Sequence, residues 1–338
     1  MNNGDLDLWH KLIVSSMNGT LFHEAWWYTA WGMEPSVHLV TDCDNTLTGG
    51  IAYAVGRRFS CSAIIRPPLT ARVGPVITKP RLAGRHAVNT QIKNALLSTI
   101  ARLPKVGTYD FSLGPEDTDI MPFLWNGFDT LVGYTYRIPC LEATKWRGET
   151  SKTQRWQLRK AAKDAVADGL TVDTEPNFDE VVTLLRQTAK DKGYERSFKR
   201  YQPQLPQWWS HVMAQNAGRA YVLRDAAGAA LSVTVMVWDH RNAYYIAGGI
   251  RKDVRKGSFF NVLLIQQMIE DAHSMRLDFD FEGSVLPGVE RFFRSWGGEL
   301  CPLYRLVKLR SILPFAVWQG YRYWSRHRRA AWRGVDQD

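Results

Sequence analysis

The densest chemistry in the chain lies in Phe279-Asp280-Phe281-Glu282-Gly283-Ser284. Two carboxylates and a glycine leaving the end of an expected strand suit substrate contact or proton transfer, and Glu282 is one candidate proton acceptor. Downstream, Phe292-Phe293-Arg294-Ser295-Trp296-Gly297-Gly298 sets a cation among aromatic residues. An arginine fixed there can stabilise a developing oxyanion or hold a phosphate. Upstream, Tyr244-Tyr245 fall in an expected strand, so the two rings face opposite sides of a sheet, and Tyr245 is a second candidate acceptor. Between these segments the basic run Arg251–Ser258 enters a helix through Gly257-Ser258. Backbone N–H groups at a helix start make a phosphate pocket, so Arg255, Lys256, Gly257, Ser258 and Asn261 are the expected donor contacts. Arg155, Arg159 and Lys163, spaced i, i+4, i+8, line one helical face. With Asp110, Asp280 and Phe293 they form the expected acceptor or anion contacts. Each feature has a plainer alternative: a capped basic turn, a self-satisfied strand end, a solvated helix arginine, a solvated charged face.

Other chemistries find no support. Cys43, Cys61, Cys140 and Cys301 form no CxxC pair, and the 8 histidines form no HExxH, so no metal site is expected. No GxSxG occurs and no Ser or Cys sits in a nucleophile motif, so no covalent intermediate on the chain is expected. The net charge of +10 favours anionic partners without choosing among them.

The elements that must position these groups recur. Asp110-Phe111, Phe123, Gly127 and Tyr134 reappear 170 residues later as Asp280-Phe281, Phe293, Gly297 and Tyr304. In each half a strand pair leads to a basic loop, an amphipathic helix and a strand ending in Asp-Phe. The first half reads as strands over 49–55 and 64–77, a helix over 89–103 and a strand over 108–113. The second reads as strands over 220–224, 231–238 and 243–248, a helix over 259–274 and a strand over 277–281. Phe260, Leu263, Leu264, Met268 and Ala272 give that second helix its apolar stripe. Alternating strands and helices make a mixed α/β (α+β) fold. The charged segment 142–169 reads as a linker helix closed by Gly169, which divides the chain into 1–145 and 146–310. The tail 311–338 is expected to pack on the first domain. Its interleaved aromatic and cationic residues also suit peripheral contact with an anionic membrane. No run approaches a membrane span and the N-terminus lacks a signal-peptide pattern, so a cytoplasmic location is expected.

LFHEAWW, RPPLTARVGPVI, SKTQRWQLRKAAKD, NAYYIAGGI and DFDFEGSVLPGVERFFRSWGGEL together resemble the FemABX branch of the GNAT-like superfamily. They are also similar to the bacterial acetyltransferases grouped with CelD. The resemblance implies two tandem GNAT-like domains, each a mixed, mostly antiparallel sheet flanked by helices, with the acceptor bound toward the cleft. It places Phe293-Arg294 where relatives carry a Phe-Lys pair that stabilises the reacting carbonyl, and Tyr245 beside it. No lysine lies between Trp27 and Lys79, which departs from the pattern of relatives that bind a peptidoglycan precursor. The implied function is transfer of an activated acyl group from acyl-CoA, with no tightly bound cofactor. The acceptor is an amine on a polar, sugar-containing, cell-envelope or lipid-linked molecule. The alternatives are an aminoacyl-tRNA-dependent transferase and a non-catalytic protein that binds nucleic acid or a membrane surface.

Overall fold

The computed structural model describes residues 3–310 except 59–60, 83, 118, 141–144, 252–256 and 285. The tail at 311–338 and the side chains of Arg255, Lys256 and Ser258 therefore lie outside the described residues. Chain order begins with α1 (Asn3–Ser15), α2 (Ala25–Ala30), β1 (Ser36–Thr41), β2 (Leu47–Arg58), β3 (Cys61–Ile65) and β4 (Pro75–Ile77). There follow α3 (Arg85–Ala101), β5 (Thr108–Leu113), α4 (Met121–Trp125) and β6 (Asp129–Ile138). Two helices, α5 (Trp146–Glu149) and α6 (Lys152–Ala167), lead to β7 (Thr171–Asp173), α7 (Phe178–Asp191), α8 (Glu195–Phe198) and α9 (Leu205–Ala214). The remainder is β8 (Gly218–Arg224), β9 (Ala230–Trp238), β10 (Asn242–Ile250), α10 (Gly257–Ser274), β11 (Asp278–Asp280), α11 (Pro287–Arg294) and β12 (Glu299–Leu309).

Local signals set most boundaries. Ser151 caps α6 by accepting from the Gln154 N–H at 3.1 Å, and the helix gives way to Gly169 at φ +64°. Along α10, Phe260, Leu264, Met268 and Ala272 are buried while Leu263 is half-buried, as the 3.6-residue period requires. One expectation needs correction. The stretch 64–77 is not a single strand, because Pro67-Pro68 and left-handed Leu69 (φ +50°) separate β3 from β4. Strands β6 and β12 and helices α7 to α9 were not foreseen.

All strands join one 12-stranded sheet in the order β1-β2-β3-β5-β12-β6-β11-β10-β9-β8-β7, with β4 on β2. The sequence repeat explains the centre of that order. Strands β6 and β12 are equivalent at the 170 offset and pair antiparallel, with Gly133 facing its own counterpart Leu303. Each also pairs with the Asp-Phe strand of the other half: Lys308 with Tyr109, and at the equivalent positions Ile138 with Phe279. The halves have thus exchanged a strand about a local two-fold axis. The cores interweave too: Trp27 of α2 and Trp31, which caps that helix, pack on Trp208 of α9, with ring centroids 5.8 and 5.4 Å apart.

The two repeat glycines differ in a testable way. Gly127 and Gly297 both hold left-handed backbone, φ +73° and +79°. A Cβ on Gly127 would meet nothing within 4 Å, whereas one on Gly297 would sit 2.6 Å from the Glu149 carbonyl carbon of α5. Gly127→Ala should cost about 1–2 kcal/mol, the left-handed penalty alone, and Gly297→Ala distinctly more in denaturant unfolding. Equal losses would contradict the close contact with α5.

Candidate active site

Strands β10 and β11 run parallel, joined by α10. A parallel pair and its crossover helix place the helix N-terminus at the carboxyl ends of the strands, where open α/β sheets bind ligands. Here those ends separate. Pairing covers only Asn242–Tyr244 against Asp278–Asp280. Beyond it β10 bulges between Tyr245 and Ala247 and continues to Ile250 on β9 alone. On the other side the chain leaves β11 through two left-handed residues, Glu282 (φ +59°) and Gly283 (φ +73°). Glycine is required at the second, since a Cβ would lie 2.2 Å from the Tyr134 carbonyl oxygen of β6. A wedge results, with the unpaired edge of β10 on one side and Glu282 on the other.

The two tyrosines of β10 diverge. Tyr244 is fully buried, lies under the Arg72 guanidinium at 5.5 Å and donates its hydroxyl to Asp239 at 2.9 Å. Tyr245 points to the other face. Its ring meets Phe293 edge-on at 6.1 Å and its hydroxyl folds back over Gly248. Burial raises the Tyr245 phenol well above its ordinary value, so it is a poor proton acceptor at neutral pH.

Below the wedge lies a buried ionic network. Asp280 is inaccessible to solvent and accepts from Arg72 Nη2 (2.7 Å), Thr135 Oγ1 (2.6 Å), the Glu282 N–H (2.9 Å) and Arg137 Nη2 (3.2 Å). Arg137 also donates to Glu116 at 2.5 Å, and Arg72 stands 4.0 Å from that carboxylate. Burial opposes the Asp280 charge, but Arg72 and Arg137 outweigh it and hold its carboxyl below the usual range. Two guanidiniums are then matched by Asp280 and Glu116. Glu282 is the fifth group: its side chain is 15% exposed, its Oε1 lies 3.5 Å from Arg72 Nη2, and that oxygen accepts no hydrogen bond. Ionising it would add an unmatched charge, and burial, with repulsion from Asp280, pushes its pKa up to about 8 despite Arg72. His23, also buried, is lowered to about 3 by burial and by Arg72 and Arg241, so it stays neutral.

The structure sets Tyr245 against Phe293 on one face and Asp280 and Glu282 together beside Arg72 on the other. Asp280 is the structural anchor of the group and Glu282 the unmatched acid. Gly257 opens α10, and Asn261 in its first turn is buried with an Oδ1 that accepts no hydrogen bond. Arg294 is placed elsewhere. Phe293 packs inward on Phe281 at 4.7 Å, while Arg294 is exposed and pairs with Glu290 at 3.1 Å. Arg155 is half-buried, donating to the Gly148 carbonyl, and Arg159 and Lys163 are exposed. Helix α6 itself lies alongside α10, with Lys160 5.8 Å from the Phe259 ring centroid. Asp110 is held by Arg305 and Arg58. The residues not foreseen are Arg72, Thr135, Arg137, Glu116 and His23. Arg72 lies in the RPPLTARVGPVI segment, but its partner Asp280 is 208 residues away, and no local pattern reveals such a pair.

Residues 152–294 match the family model of the acetyltransferase (GNAT) domain. The chain carries a GNAT-type acetyltransferase domain. No curated protein matches by sequence. Among solved structures, FemX is similar with a TM-score of 0.66 at 13% identity, covering 88% of this chain and 95% of that one. The C-terminal domain of a putative lysylphosphatidylglycerol synthetase from Agrobacterium fabrum is similar with a TM-score of 0.53 at 13% identity, covering 95% and 96%. L-PGS from Bacillus licheniformis follows with 0.51 at 14%, covering 93% and 94%. These likenesses establish a GNAT-like acyl or aminoacyl transferase fold. Among the described residues no group of three or more His, Cys, Asp or Glu is placed to hold a metal, and no helix is long and apolar enough to cross a membrane.

The network predicts an asymmetric response. Asp280→Asn leaves buried Arg72 without its matched charge and should cost about 3–5 kcal/mol in unfolding free energy. Adding Arg72→Met should recover part of that loss, because the uncompensated charge is gone. A double variant as unstable as the sum of the two singles would contradict the pairing.

Proposed function

We propose that the protein moves an acyl group from acyl-CoA to an amine on a polar, cell-envelope-type acceptor, by direct attack in the β10–β11 wedge. The observation that carries this reading is Glu282: a buried carboxyl beyond the network's charge balance, at the mouth of a wedge whose other side is an unpaired strand edge. An open edge presents N–H groups that can polarise a thioester carbonyl. The donor's phosphates would meet the start of α10, where Ser258 stands in the first turn, with Arg255 and Lys256 just ahead of it in the sequence. The neutral amine attacks the carbonyl carbon, Glu282 takes the one proton the nitrogen loses, the C–S bond breaks, and Glu282 returns that proton to the leaving sulfur so that CoA departs as the thiol. A carboxylate with a pKa of about 8 is basic enough to take that proton near neutral pH. Arg294, exposed on α11 and paired with Glu290, would meet an anionic part of a substrate from the rim.

A second reading takes the donor as an aminoacyl-tRNA. The exposed cations Arg159 and Lys163 beside α10 favour it, and the wedge chemistry would be the same. Neither reading requires a bound metal.

Release of free CoA thiol from a panel of acyl-CoA donors and amine acceptors tests the proposal. Activity should rise with pH through about 8 as Glu282 loses its proton. Glu282→Gln should lower kcat by roughly 100-fold or more and remove the contribution of that ionisation to the profile. The same variant should be no less stable near pH 8, since the ionised carboxyl it replaces is unmatched. A fully active Glu282→Gln protein would contradict the assignment.

A further inference from the structure

Three buried polar atoms meet on the face of the sheet that α10 covers. Strand β9 is buried from Ala230 to Val237 and is apolar there except at Ser232 and Thr234. Both residues are inaccessible to solvent, and neither hydroxyl has a hydrogen-bond partner among the described residues. Thr234 stands opposite Tyr221 of β8 and Gly248 of β10. Tyr221 donates its hydroxyl to Asp271 of α10 at 2.8 Å, which sets Thr234 on the α10 face. Ser232, two residues earlier, shares that face. Asn261 looks back from the helix. It precedes Ile265 and Met268, which pack in the same core as Tyr221, by one turn and two. It is 8% exposed, and its Oδ1 is the third atom without a partner.

The fold does not demand these groups. Strand β3 lies beside β5 as β10 lies beside β11, with Ala63 at Thr108 and Asn242 at Asp278, and Thr108 and Asp278 are repeat partners. Ile64 then faces Val55 of β2 where Ala243 faces Trp238 of β9. Counting back along both strands, Ile51 stands for Thr234 and Gly49 for Ser232. Ile51 is fully buried in one core with Leu96 and Ile100 of α3, so an aliphatic side chain serves at that place. A buried hydroxyl without a partner costs stability, and the second half keeps two. Tyr245 connects them to the wedge. A Cβ on Gly248 would lie 2.0 Å from the Tyr245 hydroxyl, which puts that hydroxyl beside Thr234 across the strand pair. Tyr245 is only half-buried, and no hydrogen bond among the described residues holds its hydroxyl there.

We propose that Ser232, Thr234 and Asn261 form the pocket for the transferred acyl group, with Tyr245 as its wall toward the wedge, and that this group carries a hydroxyl. This rests on the acyl-transfer reading above and names the class of acyl group. The carbonyl stays in the wedge, the acyl chain passes to the α10 face as the Tyr245 ring turns aside, and the amine comes from the Glu282 face. The sheet thus keeps the two substrates on opposite sides until they meet. Two hydroxyls and an amide oxygen can donate to and accept from a neutral hydroxyl, but they supply no charge to balance an ammonium group. A plain acyl chain would leave all three atoms without partners, and that difference is what discriminates.

Calorimetric titration of the full-length protein without acceptor tests the pocket apart from turnover. β-Hydroxybutyryl-CoA should bind about tenfold more tightly than butyryl-CoA, the worth of roughly one satisfied hydrogen bond, and β-aminobutyryl-CoA should show no such gain. Thr234→Val combined with Ser232→Ala should bring the ratio of the first two affinities to about one. The same double variant should melt at or above the temperature of the unmodified protein, because it removes two buried hydroxyls that lack partners. Equal affinity of the unmodified protein for the hydroxylated and plain donors would overturn the proposal. So would a tenfold gain for the amino donor, a preference that survives the double variant, or a double variant that melts lower, the mark of hydroxyls already satisfied by buried water. Selective binding with no release of CoA thiol to any amine would leave the pocket standing and remove the reading above. CoA release without a donor preference would do the reverse, and binding of no donor would remove both.

Discussion

The antiparallel pairing of β6 with β12, centred on Gly133 and Leu303, is the constraint on which the rest of the molecule depends. Each strand is supplied by one half and consumed by the other, so neither half completes its sheet alone. The exchange sets Thr135 and Arg137 beside Asp280, and it sets Arg305 beside Asp110. Related positions therefore meet different partners, and the two halves diverge in chemistry while keeping a common register. One acid becomes the anchor of a network beside an open wedge, and the other is clamped by arginines.

Charge balance then decides what can react. Asp280 and Glu116 match Arg72 and Arg137, and a matched buried pair is held in its ionised form. Glu282 follows Asp280 closely in sequence and lies beyond that balance, held there by left-handed backbone that Gly283 continues. Its carboxyl is thereby raised toward the pH at which an amine must lose a proton. The same argument weakens Tyr245, whose phenol burial keeps protonated, and makes Glu282 the stronger of the two side chains that the sequence offered as proton acceptors.

The sequence made the local parts legible. The 3.6-residue stripe of α10, the closure of α6 at Gly169 and the Asp-Phe pairs of the strands β5 and β11 were each visible in adjoining residues. The repeat was visible as well, but not its consequence. Equal spacing between Asp110 and Asp280 says nothing of whether each half keeps its own last strand, because exchanged and unexchanged pairings bury the same residues. For the same reason the site list contained Asp280 and Glu282 without Arg72, Arg137 or Glu116. For Arg294 the sequence showed the residue type without its direction: at the end of α11 the inward place is taken by Phe293, and the arginine pairs with Glu290 outside.

The central claim is that transfer occurs where β10 and β11 part, with Glu282 as base. A crystal structure of the protein with a non-hydrolysable acyl-CoA analogue tests it most directly. The account predicts the pantetheine arm lying along the open edge of β10 beyond Tyr244, its phosphates at the start of α10, and the acyl carbonyl within reach of Glu282, directly or through one water. An analogue seated instead in the first half, along β3 or beside Asp110, would contradict it.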